Sequence, residues 1–362
     1  MSVGPENTID LPDPIPFEIE VTETDITSTA SLTLTQPVYT FGTIELGRRG
    51  ASLALEGARM QLARAEETVR RDVEEAFLQA ALAAALRSVS EQSVATAEER
   101  LRLAEARFDA GTVARFEVLR SEVSLATSRE ELLQAETAAE LALSALAQKL
   151  GLPAQAELNI SPPDPATVEP VAPDFTLVEA QETALANRRD LRALELATEL
   201  GDVAVQLTRN RPSLVFQGNY SISDRATGFS EKENWSLVLN LAYDLFDGGR
   251  SRAQEDQASA RRDALAAQLE EARSMVELEV EAAYRSLVES LDRIEVARRT
   301  LASAKEALRI AELGYSEGVI AYIDYQDADL GLRQAETLHL QAVYGYLIAE
   351  SGLHAALGFI QE

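Results

Sequence analysis

The chain of 362 residues contains no cysteine. That removes disulfide frameworks, thiolate nucleophiles and cysteine-ligated metals. Histidine is almost as scarce. His339 and His354 are isolated, with no second ligand at metal spacing, and helix-surface or packing positions account for them. The DGG at 247–249 has no GKS, GKT or GxGxxG beside it, so a corner between strand and helix explains it better than a phosphate loop. With no nucleophile–base pair and no ligand cluster, no enzyme activity, cofactor or metal is expected. Positive charge is outnumbered, 33 Lys and Arg against 60 Asp and Glu, for a net charge of −27. Phosphate would be repelled, so nucleic acid is excluded as a partner. No run approaches the roughly 18 apolar residues of a membrane-spanning helix, so any membrane contact must use strands or a surface patch. The start, MSVGPENTIDLPDP, lacks the basic and apolar regions of a signal peptide. Aromatics make up only 6% of the chain against 46% hydrophobic residues. That balance favours long helices packed through small side chains over a thick globular core.

Proline is confined to three zones: Pro5 to Pro37, Pro153 to Pro173, and Pro212. Two proline-free segments remain, 43–150 and 247 to the end, both open to uninterrupted helix. In the second, Val280, Leu287, Ile294, Leu301, Leu308 and Tyr315 recur every seven residues, the period of a coiled coil. The first is richer in alanine, and Arg87 occupies the place equivalent to Ile294. The two segments are copies of one another. Gly42 pairs with Gly249, Gly111 with Gly318 and Gly151 with Gly358, each 207 residues apart without a gap. An internal duplication follows: a first repeat over 1–151, a proline-rich connector over 152–174 and a second repeat over 175–362.

Each copy has a strand-like approach. SLTLTQPVYTF (31–41) and WSLVLNLAYDLF (235–246) alternate in polarity, as does SLVFQGNYSIS (213–223) after Pro212. FEIEV, within a loop or strand over 16–41, also alternates. Ten or so residues is the length of a tilted transmembrane β-strand, and Trp235, Tyr220 and Tyr243 suit membrane interfaces. A first helix from 43 to 109 would be ~100 Å long and its return helix, 114–149, only ~55 Å. Two short helices over 175–210 are expected, the later one covering the unpaired half.

In this order and spacing the motifs resemble those of the TolC-like outer-membrane efflux ducts. The marks are QPVYTFG (36–42), LFDGGR (245–250), ARFDAG (106–111), GYSEG (314–318), ANRRDL (186–191), and LG at 150–151 and 357–358. The resemblance implies a mainly α fold with a small β part. Helical hairpins would form an α-barrel in the periplasm, and strands a transmembrane β-barrel in outer-membrane lipid. It implies a homotrimer working with a periplasmic adaptor protein and an inner-membrane pump, and a gated, passive export duct. Family members place an acid six residues after the tip glycine and some another three further on. Here these positions hold Asp324 and Asp327 after Gly318, and Glu117 and Arg120 after Gly111. Tyr315 matches a gate tyrosine, whereas the family's gate arginine is replaced by Ile320. Arg115 or Arg120 could supply the missing cation, and Arg120 standing opposite Asp327 implies a gate closed by charge pairing between unlike repeats. Converging carboxylates would focus a negative potential that favours cations, although acids also suit the first turn of a helix. Gly111, Thr112, Val113, Gly318, Val319 and Ile320 are the expected adaptor-docking tips.

The rival expectation is a soluble coiled-coil scaffold or periplasmic adaptor. By the repeat offset, a counterpart of 175–207 and a further strand would precede Met1. Three strands per protomer give nine in a trimer, which cannot close an all-antiparallel barrel. A longer natural protein is therefore expected.

Overall fold

The computed structural model describes residues 29–153, 156–223 and 233–358. FEIEV lies outside the described residues. Among the described residues nine elements follow in order: β1 (Thr29–Tyr39), α1 (Thr43–Asp109), α2 (Arg115–Lys149), α3 (Leu177–Asn187), α4 (Arg189–Leu207), β2 (Ser213–Ser223), β3 (Glu233–Ala242), α5 (Arg250–Ser316) and α6 (Tyr322–Leu357). They fall into two compact units: a strand unit within Met1–Glu45 and Arg209–Ser251, and a helical unit of Leu46–Thr208 with Arg252–Glu362.

The strand unit is an antiparallel sheet in the order β1-β2-β3. Residues directly opposite in register share a face. Leu32, Tyr220 and Trp235 lie across one face, followed by Leu34, Gly218 and Leu237, then by Phe216 and Leu239, with Leu214 and Leu241 last. Thr33, Asn219 and Ser236 lie on the other, as do Thr35, Gln217 and Val238, and then Val215 and Asn240. A Thr33 hydroxyl donates to the Asn219 amide oxygen at 3.0 Å there. The apolar face is uncovered, with Leu32 74%, Leu239 62% and Trp235 72% exposed. Pro37 is tolerated because, among the described residues, β1 is an edge strand and its register slips between Pro37 and Tyr39, where a missing N–H disrupts little.

The strands end earlier than their alternation predicts, at Tyr39 and Ala242 rather than 41 and 246. Phe41 has a positive φ of 49° and Gly42 one of 88°, which turns the backbone out of the ladder. The Asp244 carbonyl is taken by the Asn210 side chain at 2.6 Å. Asp247 then closes the DGG corner: its carboxylate accepts from the Gly249 amide at 2.9 Å and the Ser251 amide at 2.7 Å. A hydrogen bond from the Ser251 side chain, followed by these two amide bonds, holds its carboxyl down at about 2, a side-chain cap at the start of α5.

In the helical unit, α1 and α5 each run 67 residues, while α2 and α6 run 35 and 36. The three repeat-related glycine pairs share a left-handed backbone, with φ of 88° and 88° at Gly42 and Gly249, 72° and 76° at Gly111 and Gly318, and 71° and 77° at Gly151 and Gly358. At α3 a capping box fixes the start, as Thr176 and Glu179 exchange hydrogen bonds. In α4, Leu196 and Val203 are buried. Gly57 and Gly50 of α1 face Leu196, Leu200 and Val203 closely, so α4 lies along the part of α1 beyond the reach of α2. The main apolar cluster joins Leu269, Val276, Val280, Leu287 and Ile294 of α5 to Tyr346, Leu353 and Leu357 of α6 and Leu191 of α4. The proline-rich connector is fastened to α6, whose Tyr344 hydroxyl donates to the Pro163 carbonyl at 3.2 Å and whose Tyr346 hydroxyl accepts from the Val171 amide at 3.1 Å.

Candidate functional site

The candidate site lies where the two hairpins turn. At the end of α1 the Gly111 amide bonds to the Phe108 carbonyl (2.8 Å) and the Thr112 amide to that of Arg107 (2.9 Å). At the end of α5 the Gly318 amide bonds to the Tyr315 carbonyl (3.1 Å) and the Val319 amide to that of Gly314 (2.8 Å). These are paired closures of a Schellman motif, which needs a left-handed residue and so selects glycine. The return helices start without side-chain caps at Ala114 and Ala321. Glu117 and Asp324 therefore stand in the first turns, next to the exposed amides.

The two first-turn acids are treated differently. Glu117 is half-buried and accepts a short hydrogen bond from the Tyr315 hydroxyl, which itself accepts from Arg107 Nη1 at 2.8 Å. Burial pushes the Tyr315 hydroxyl up to about 12, helped by its bond to Glu117 and that carboxylate's charge and opposed by Arg107. It therefore remains a donor. Asp324 is exposed and has no side-chain partner among the described residues, and Asp327 is exposed one turn further along.

Around Tyr315 the second hairpin supplies aromatics and the first supplies cations. Tyr315 stacks on Tyr325 with centroids 5.5 Å apart and planes 4° from parallel, and Tyr322 packs against both at 5.4 and 6.3 Å. Arg107 lies 5.2 Å from the Tyr315 ring, Arg100 4.8 Å from Tyr325 and Arg120 6.0 Å from Tyr322, within cation–π range. The Tyr322 hydroxyl is 3.0 Å from Ser121 Oγ of α2. Thus within the chain Arg120 covers a tyrosine of the other hairpin, while Asp327, its repeat counterpart, points no side chain to it.

Two turns deeper, Asp329 is buried and bonded by Arg100 Nη2 at 2.5 Å, with Arg333 Nη2 3.5 Å from its other oxygen. Arg333 Nη1 donates to Ser93 Oγ at 2.7 Å, and Ser93 and Ser128 are hydrogen-bonded at 3.2 Å. Burial works against the Arg100 charge, but Asp329 more than offsets this and its pKa is raised.

The docking candidates divide as well. Val319 is 79% exposed, and Gly111, Thr112 and Gly318 are exposed. Val113 is partly covered, and Ile320 folds back over Gly314 so closely that a Cβ there would stand 2.6 Å from Ile320 Cδ1. The cations of the tip are thus Arg107 and Arg100 as well as Arg120, while no contact of Arg115 enters the cluster. Arg100, Arg107, Tyr325, Asp329 and Arg333 escape a reading based on the tip glycines alone. One available signal is that Ser93, Arg100 and Arg107 recur every seven residues beside the apolar seam.

An amphipathic, uncovered sheet joined to paired helical hairpins with polar tips defines a membrane-strand and helical-duct class of protein. The profile of the outer membrane efflux protein family matches residues 21–152 and 181–359, and the chain belongs to that family. It is similar to the pyoverdine export outer membrane protein OpmQ of Pseudomonas aeruginosa, 27% identical over 335 residues that cover 91% of this chain and 69% of the relative. Nodulation protein T of Rhizobium leguminosarum bv. trifolii is 24% identical over 345 residues, 93% and 73% of the two chains. A crystal structure of a membrane protein from Pseudomonas aeruginosa shares the fold at a TM-score of 0.76, with 21% identity over 92% of this chain and 83% of that one.

Proposed function

We propose that the chain is one protomer of a trimeric channel-tunnel of the outer membrane, a passive gated duct that carries substrates from the periplasm to the exterior for a tripartite efflux or secretion system. The observation that carries this is the sheet: one face is apolar from Leu32 to Leu241 apart from Gln36 and is uncovered, while the other carries Thr33, Thr35, Gln217, Asn219, Ser236 and Asn240 beside Val215 and Val238, the amphipathic pattern of a barrel between lipid and a wet lumen. A soluble scaffold would have to leave that apolar face in water. In the trimer, Asp324 and Asp327 of α6, with Glu117, form the constriction. Tyr315 holds Glu117, and Arg120 braces Tyr322. The tips at Gly111, Thr112, Val113, Gly318, Val319 and Ile320 meet the periplasmic adaptor, through which an inner-membrane pump supplies the energy. Exposed carboxylates gathered by three-fold symmetry favour cations in a narrow passage.

Planar-bilayer conductance of the purified protein tests this. Cation-selective channels are expected, with selectivity lost in Asp324→Asn combined with Asp327→Asn. Absence of conductance from every detergent-purified preparation would sink the reading.

A further inference from the structure

We propose that Asp329 is a positioning residue for tip closure, acting on the Tyr315–Glu117 contact through Arg100 and Tyr325. The inference deepens the reading of the tips as a gate and rests on it. Asp329 touches none of the groups at the turn. It is 6% exposed and stands seven residues past Tyr322, the start of α6, about 10 Å along the helix.

The relay is continuous. The Asp329 carboxylate fixes one end of the Arg100 guanidinium at 2.5 Å. The same guanidinium lies 4.8 Å from the centroid of the Tyr325 ring and donates from Nε to the Tyr325 hydroxyl at 3.1 Å. Held in this way, Tyr325 presents its face to Tyr315, 5.5 Å away and nearly parallel. Tyr315 is the residue that donates to Glu117. A second arm ties the carboxylate to the other hairpin. Arg333 faces Asp329 at 3.5 Å and donates to Ser93 of α1 at 2.7 Å, with Ser128 of α2 3.4 Å away.

Chemistry explains why a carboxylate is needed. An apolar side chain could fill this space at no loss of stability, since buried ion pairs are poor stabilisers compared with well-packed apolar groups. A charge that must be paired, however, accepts few arrangements, and the flat arginine fork carries that restriction to the ring that it covers. The repeat contains no second relay. The counterparts of Asp329, Arg100 and Tyr325 are Glu122, Ala307 and Val118, and Glu122 is exposed. Each protomer therefore has one relay, and it serves Glu117 and not Asp324.

The test compares closed-state conductance and thermal unfolding of the reconstituted protein in four variants. Tyr315→Phe reports on the gate itself. Asp329→Asn removes the charge that holds Arg100. Asp329→Leu with Arg100→Met replaces the pair by apolar groups of similar size, which keeps the packing. Arg100→Lys keeps the charge but loses the plane over Tyr325. All three relay variants are expected to raise closed-state conductance to the level of Tyr315→Phe. Adding Tyr315→Phe to any of them should give no further rise, and the apolar pair, which leaves only Arg333 without its carboxylate, should lower the unfolding temperature less than Asp329→Asn does. If Tyr315→Phe opens the tip and the relay variants leave it closed, the positioning role is overturned while the gate reading stands. If Tyr315→Phe changes nothing, the gate reading fails and takes the proposal with it. Failure of both Asp329 variants to assemble would assign the residue to folding and overturn the proposal.

Discussion

The two hairpins have the same skeleton and different interiors. Both pair a 67-residue helix with one of 35 or 36, and both turn at a left-handed glycine. In the second, α5 fills its seam with Val280, Leu287 and Ile294, all buried. At the equivalent places the first has Val73, Ala80 and Arg87. Ala80 is buried in a small cluster with Ala76 and Leu146, whereas Arg87 is exposed and pairs with Glu91 at 3.2 Å. At the tips the divergence becomes complementary. Arg100, Arg107 and Arg120 of the first hairpin correspond to Ala307, Gly314 and Asp327, and Tyr315, Tyr322 and Tyr325 of the second correspond to Phe108, Arg115 and Val118. Duplication preserved the backbone and let the side chains specialise, so that at the tips cations of the first copy cover tyrosines of the second.

Substitutions at matched positions can break this comparison. The largest effect is expected at Ile294→Ala, which leaves a cavity in the main cluster and costs roughly 2–5 kcal/mol. Its counterpart Arg87→Ala, on an exposed face, should stay within about 0.5 kcal/mol. Denaturant unfolding measures both, and equal losses would contradict the asymmetry. A smaller effect is expected at the turns. Gly111→Ala and Gly318→Ala each force a side chain into a left-handed backbone at a cost of about 1–2 kcal/mol. Since neither site has an atom within 4 Å of the added Cβ, strain alone should act and the two losses should match; a large difference would show that the turns are not equivalent. The smallest effect is local and pH-dependent. Folding lowers the Asp247 carboxyl from its ordinary 3.8 to about 2, so the cap's contribution is complete above pH 3.8 and disappears as pH falls through about 2. Amide exchange should show the Gly249 and Ser251 protection fading over that window, and Asp247→Asn should abolish the pH dependence. The first copy has Thr40 where the second has Asp247, and its corner should not respond to pH in this range.

Much of the fold was legible because it is repetitive. A seven-residue apolar period, three glycines in register and confined prolines identify long paired helices, and alternation identifies the strands. Strand ends were overestimated because the turn at Phe41 and the capture of the Asp244 carbonyl by Asn210 leave no mark on polarity. Of the site, the glycines placed Glu117, Asp324 and Tyr315 at the turns. The contacts among them were not legible, because they join residues about 200 positions apart on helices whose rotation about their axes no local pattern fixes. Arg100 and Asp329 illustrate this. Each reads as one more charge on a solvated helix, and only packing reveals that one neutralises the other inside the unit.

The sheet has a further consequence for how the protein is made. Among the described residues β1 and β3 each have one partner, so each leaves a row of backbone donors and acceptors unmatched. In hydrocarbon those groups have no water to bond, and each costs several kcal/mol if left alone. A solitary sheet of this kind is therefore barred from the bilayer interior by its backbone, however apolar its outward face. Entry of such a sheet must wait until both edges meet other strands, and where other protomers supply those strands, as in the trimer proposed above, the rate of membrane integration should depend on protomer concentration.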